Sequence, residues 1–164
     1  MMVRLLWVVR AQPISPGVVV GSVAAAATTG ALIAMGHRLG SAGLPFAAIG
    51  ALVLPRSPNG ALVVLAGVVL HFVAMFLWGV VFVWLTERLA RRDALAAGVV
   101  AAGNFVASWI VAWTTTRGLS SVLTLGDRIA LAVVLAGALV VGMRFAFHSR
   151  EMHDRAPAVD RLMM

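Results

Sequence analysis

ALVVLAGVVLHFVAMFLWGVVFVWL, residues 61–85, runs for twenty-five residues without a charged side chain. That exceeds the roughly 20 apolar residues with which a helix crosses the hydrocarbon core of a bilayer. Three other stretches have the same character, at residues 17–35, 94–114 and 129–147. Inside lipid, backbone N–H and C=O groups have no water to bind and must pair within their own segment, so these stretches are expected as helices. The fold class expected is all-α: an integral membrane four-helix bundle forming a single transmembrane domain over residues 1–164.

The composition agrees, with 62% hydrophobic and 12% charged residues in a chain of 164. No length remains for a separate soluble domain. The absence of cysteine excludes disulfides, iron–sulfur clusters and thiol catalysis within the chain. All thirteen basic residues are arginine and the net charge is +7, a balance that in a soluble protein points to nucleic acid. Here the arginines sit at span ends, where they meet anionic lipid headgroups, so membrane lipids and not nucleic acid are the partners expected.

Their distribution gives an orientation. With four crossings, Arg4, Arg10, Arg88, Arg91, Arg92, Arg144, Arg150, Arg155 and Arg161 share one side, against Arg38, Arg56, Arg117 and Arg128 on the other. The positive-inside rule then puts both termini in the cytoplasm. A bacterial inner membrane is the location expected for a multi-pass helical protein of this kind. Residues 39–55 are too short for a fifth crossing and are interrupted by Pro45, which predicts a peripheral or half-inserted helix after the first span. Residues 1–11 combine Leu5, Leu6, Trp7, Val8 and Val9 with Arg4 and Arg10 and are expected to lie in the interface, retained and not cleaved as a signal peptide. Residues 148–164 form a polar cytoplasmic tail in which Pro157 is expected to end the last helix.

Close packing must hold such helices together, because apolar burial drives little association in lipid. Gly17, Gly21 and Ala25 place three small residues on one face of the first span. Gly67 does so in the second, and Ala132, Ala136, Ala138 and Gly142 in the last. These faces serve either packing within the chain or docking of a partner.

His71 is the only histidine well inside a predicted span, and an imidazole there needs a hydrogen-bonding partner. A short connection near Leu89 and Ala90 predicts an antiparallel hairpin of the second and third spans. Reflection about it brings Ser108 to the depth of His71, with Asn104 a turn away, so a polar cluster of His71, Ser108 and Asn104 is expected. Trp78 shares the His71 helix face. Three uses compete: a hydrogen bond fixing helix register, a ligand site in which the imidazole binds a haem or chlorophyll-type pigment, and a proton or solute path. His37, His148 and His153 lie at or beyond span ends and offer no second axial ligand.

No carboxylate lies mid-span. Glu87 and Asp93 flank the arginine-rich turn, Asp127 is expected as an N-cap of the last helix, and Glu87 with Arg91 has i,i+4 spacing. Arg128 is expected as an interfacial, solvated or headgroup-paired charge. Trp84 and Trp113 fall near span ends as interface anchors, and Arg56-Ser57-Pro58-Asn59-Gly60 is a turn signal. Nothing forms a catalytic set or a metal-ligand set.

The Ala-rich first span, Gly43-Leu44-Pro45 with Ile49-Gly50-Ala51, and Leu70-His71-Phe72 followed by Gly79 and Phe82 resemble a group of small bacterial membrane proteins. Those proteins pair an Ala/Gly-rich first span with a Leu-His-Phe second span. The likeness covers about residues 17–86 and departs where Ala74 or Met75 stands in place of a glycine. It implies a fold without a reaction. The function expected from the whole is a non-enzymatic accessory or scaffold subunit that packs against other membrane subunits or forms a homo-oligomer. A cofactor- or pigment-binding protein using His71 is the alternative, and a small transporter comes third.

Overall fold

The computed structural model describes residues 15–57, 59–115 and 118–160. The described chain is helical: α1 (Pro16–Arg38), α2 (Leu44–Gly50), α3 (Gly60–Arg88), α4 (Asp93–Thr115), a short 3-10 turn (Leu119–Ser121) and α5 (Leu125–Asp160). Within α1, α3, α4 and α5 lie four segments long and apolar enough to cross a membrane, and each of the four predicted spans falls inside its helix. The 29 residues of α3 at 1.5 Å rise make it about 44 Å long, which exceeds the hydrocarbon thickness. The interfacial segment at residues 1–11 and Arg117 fall outside the described residues.

Local chemistry explains the boundaries. Pro16 occupies the first turn of α1, where its missing N–H costs nothing. Asn59 caps α3 by accepting a hydrogen bond from Leu62 N–H at 3.1 Å. The start of α5 differs from the expectation. Thr124, not Asp127, is the cap: its hydroxyl accepts from Asp127 N–H at 3.2 Å, and the Asp127 carboxylate accepts from Thr124 N–H at 3.2 Å. This reciprocal pair is a capping box, which places the acid three residues into the helix. Pro157 does not end α5, which continues to Asp160. A proline there forfeits one backbone bond and crowds the carbonyl four residues earlier, a cost that this helix bears without ending at that point.

Packing departs from the predicted hairpin. α3 and α4 follow one another through residues 89–92, yet they touch little. The most extensive interfaces are those of α1, with α5 on one side and α3 on the other; α4 leans on α5, and α2 lies along α3. The cause is the distribution of small residues on α1. A Cβ placed on Gly21 would sit 2.9 Å from the Phe76 Cα, and one on Gly79 would sit 2.6 Å from the Gly17 carbonyl oxygen. On the other flank, a Cβ on Gly142 would come within 2.9 Å of the Val20 Cα. Backbones approach this closely only where side chains are missing, so Gly17, Gly21 and Gly142 seat α1 between α3 and α5. Ala25 and Ala138 are buried in the same layer with Val20, Met75, Phe82, Val100, Leu135 and Leu139, and Ala136 packs at its margin.

A second apolar cluster, of Leu32, Met35, Phe46, Leu123 and Leu131, fills the end of the bundle at which α1 stops and α5 starts. There the only ion pair among the described residues joins Arg38 to Asp127. The expected Glu87–Arg91 pair does not form part of the helix: Arg91 follows Ala90 in left-handed backbone, with φ of 62° and 51°, and its guanidinium lies 5.6 Å over the Phe147 ring.

The segment expected to be peripheral is α2. Pro45 does not interrupt it but starts it, from the first turn. Gly50 and Gly67 bring α2 onto α3 backbone to backbone: a Cβ on Gly67 would fall 1.8 Å from the Phe46 carbonyl oxygen, and one on Gly50 would fall 1.8 Å from that of Val63. α2 therefore lies beside the first third of α3, with Pro45, Phe46 and Gly50 buried.

Candidate functional site

His71 is 5% exposed in α3, eleven residues from the start of that helix. Its Nε2 lies 3.0 Å from the Thr28 hydroxyl of α1. That hydroxyl also donates to the Ala24 carbonyl at 2.7 Å, which uses its hydrogen, so the network assigns the hydrogen of the first contact to Nε2 and makes the ring the donor. Phe46 of α2 meets the ring edge to face at 5.9 Å, and Phe72 does so at 6.1 Å. The imidazole is thus fixed by three helices.

The partner is not the expected one. Ser108 donates to the Phe105 carbonyl of its own helix at 2.7 Å, a back-bond that satisfies a hydroxyl in an apolar helix. Reflection across the α3–α4 connection fails because α4 is tilted onto α5, whereas α1 is held against α3 by glycines. Thr28 shares the Gly17, Gly21 and Ala25 helix face within one turn, and this was the signal in the sequence: a hydroxyl on the small-residue face of a span.

His71, Asn104 and Ser108 nevertheless share a space. They line one cavity of about 150 Å³ between α1, α3, α4 and α5, with Thr28, Arg128 and the apolar walls Leu70, Met75, Phe105, Leu131 and Leu135. Ala132 belongs to this lining as well, while Trp78 does not; the tip of its ring instead faces Gly103 of α4. Gly67 lies behind His71, against α2. The other end of the bundle holds a smaller cavity of about 90 Å³, bounded by Thr86, Glu87, Arg91 and Phe147.

Arg128 was not expected at this site. It stands in the first turn of α5, half-buried, with its guanidinium 5.0 Å over the Phe105 ring. Its Nε is buried without a hydrogen-bond partner among the described residues. The neighbouring carboxylate, Asp127, is engaged by Arg38 and Thr124.

This arrangement bears on the pigment alternative. A tetrapyrrole is several times larger than the cavity beside His71, and the ring nitrogen that would bind its metal is held by Thr28. The residues present do not fit such a group. No cluster of three or more His, Cys, Asp or Glu side chains able to hold a metal ion occurs among the described residues.

Comparison with protein families, characterised proteins and solved structures found no match to this chain. The described residues define a class: an all-helical protein with four helices long and apolar enough to span a membrane.

Proposed function

We propose that the chain is a non-enzymatic accessory or scaffold subunit of a bacterial inner membrane, with both termini in the cytoplasm, that docks other membrane helices through the outward face of α1. The observation that carries this reading is the exposed face of the central helix. While α3 and α5 cover two sides of α1, its outer side exposes Ser22, Ala26, Gly30 and Ala34 at successive four-residue steps. A Cβ on Gly30 would meet nothing within 4 Å. α4 exposes a second such strip at Ala94, Gly98 and Ala102, while the outward positions of α3 hold large apolar groups such as Leu65 and Leu77, as a surface solvated by lipid tails does. A strip of minimal side chains between such surfaces allows another helix to approach at backbone distance, the geometry through which helices associate in lipid. The arginine asymmetry supports the orientation.

Because the chain has no cysteine, Gly30→Cys introduces a unique thiol. Cross-linking from that position in the native membrane is expected to capture a membrane protein or a second copy, and Gly30→Leu is expected to abolish co-purification with it while leaving the monomer folded. Unchanged co-purification of Gly30→Leu would remove the basis of the reading.

A further inference from the structure

We propose that the cavity between α1, α3, α4 and α5 is a binding site for a small amphipathic monoanion, a carboxylate on an apolar body of about six carbons, held by Arg128. The inference is independent of the docking role of α1.

Charge comes first. Arg128 is the cation on the cavity wall: its guanidinium lies over Phe105, its Nε is enclosed without a hydrogen-bond partner among the described residues, and its terminal nitrogens are the donors that a ligand would meet. A guanidinium in apolar surroundings is paired best by a carboxylate, which its terminal N–H groups bind with charge-assisted hydrogen bonds. The nearest candidate, Asp127, points to Arg38 and Thr124 instead. No Asp or Glu among the described residues lines the cavity. The wall therefore presents one positive charge with no negative charge facing it, a deficit that one anionic oxygen pair corrects.

Orientation comes next. Asn104 lines the same space without a hydrogen bond to the protein among the described residues, so its amide is available to a ligand. Ser108 is committed to Phe105 as a donor but keeps lone pairs. Arg128 lies in the first turn of α5, whereas Leu135 is ten residues into that helix, so the charged group stands near the end of the bundle and the apolar wall about 15 Å deep. A ligand enters head last, with its body against Leu70, Met75 and Leu135.

Size limits the class. A dry cavity of about 150 Å³ accepts a single benzene-sized group, and this one measures about 150 Å³. Phospholipid acyl chains and nucleotides exceed it. One cation selects a monoanion over a dianion.

The test uses the full chain in lipid nanodiscs, with benzoate and hexanoate as probes and benzamide and hexanamide as uncharged counterparts of the same shape. Calorimetry is expected to show saturable binding of each acid, at least about tenfold tighter than of its amide, the ratio for one charge-assisted hydrogen-bond pair. Arg128→Gln is expected to erase that ratio, while Arg56→Gln, outside the cavity, preserves it. Should Arg128→Gln fail to fold, Ala132→Phe, one turn along α5 from the cation, fills the cavity from its wall and is expected to abolish binding of acid and amide alike. Equal affinity for acid and amide, or uptake that never saturates and follows the lipid content, would overturn the proposal. So would acid binding that survives Ala132→Phe.

Discussion

Gly67→Ala is expected to pry α2 away from α3. The methyl group would fall 1.8 Å from the Phe46 carbonyl oxygen, and an ordinary carbon–oxygen contact is about 3.3 Å, so α2 must retreat by about 1.5 Å. The obstacle is backbone, held by the helical bonds of α2, and cannot rotate aside as a side chain can. Overpacking of a rigid contact costs about 3 kcal/mol, at the upper end of its usual range. The retreat also carries Phe46 off the His71 ring, now 5.9 Å away. Equilibrium unfolding in bicelles measures the first effect, and the chemical shifts of the His71 ring protons, set partly by the Phe46 ring current, measure the second. Gly98→Ala is the control: nothing lies within 4 Å of the added methyl, and helix propensity favours alanine by about 0.5–1 kcal/mol. If Gly67→Ala unfolds within about 0.5 kcal/mol of the unaltered protein, with the imidazole shifts unmoved, the backbone seam described above does not exist.

Thr28→Val keeps the shape of the side chain and leaves the His71 Nε2 donor unpaired, so a loss of about 1 kcal/mol is expected in the same unfolding assay. Ser108→Ala, which removes a bond within one helix, should cost less than half of that. Asn59→Ala removes the cap of α3 and is expected to destabilise by about 1 kcal/mol, with faster amide exchange confined to residues 60–63. Ala90→Gly relieves a left-handed residue at φ 51° and should stabilise by about 1 kcal/mol, visible as a higher midpoint of thermal unfolding.

The four spans were legible because each is a long apolar run, and length alone identifies a crossing. Their arrangement was not legible in the same way. A short connection made α3 and α4 look like partners, but in lipid the approach of two helices is decided by which backbones are bare, and Gly17, Gly21, Gly79 and Gly142 award α1 the central place. The site was half visible. His71, Asn104 and Ser108 do meet around one cavity, since residues at one depth in a bundle converge whatever the order of the helices. Thr28 was missed because a threonine can satisfy itself by bonding its own helix, which it also does. The position of Arg128 in the chain points to an interfacial charge. Its burial follows from the lean of α4, which sets Phe105 beneath the guanidinium, and no spacing rule records that.

The facing of Gly50 and Gly67 has a consequence for how this sequence can drift. In most packed contacts, growth of one side chain is accommodated by shrinkage of its neighbour, so pairs of positions change together. Here each glycine stands 2.9 Å from where the other's N–H meets an added carbon, and neither has anything left to give up. No second substitution across the seam can rescue the first. Variation at these two positions is open only to chains that move α2 bodily or dispense with it.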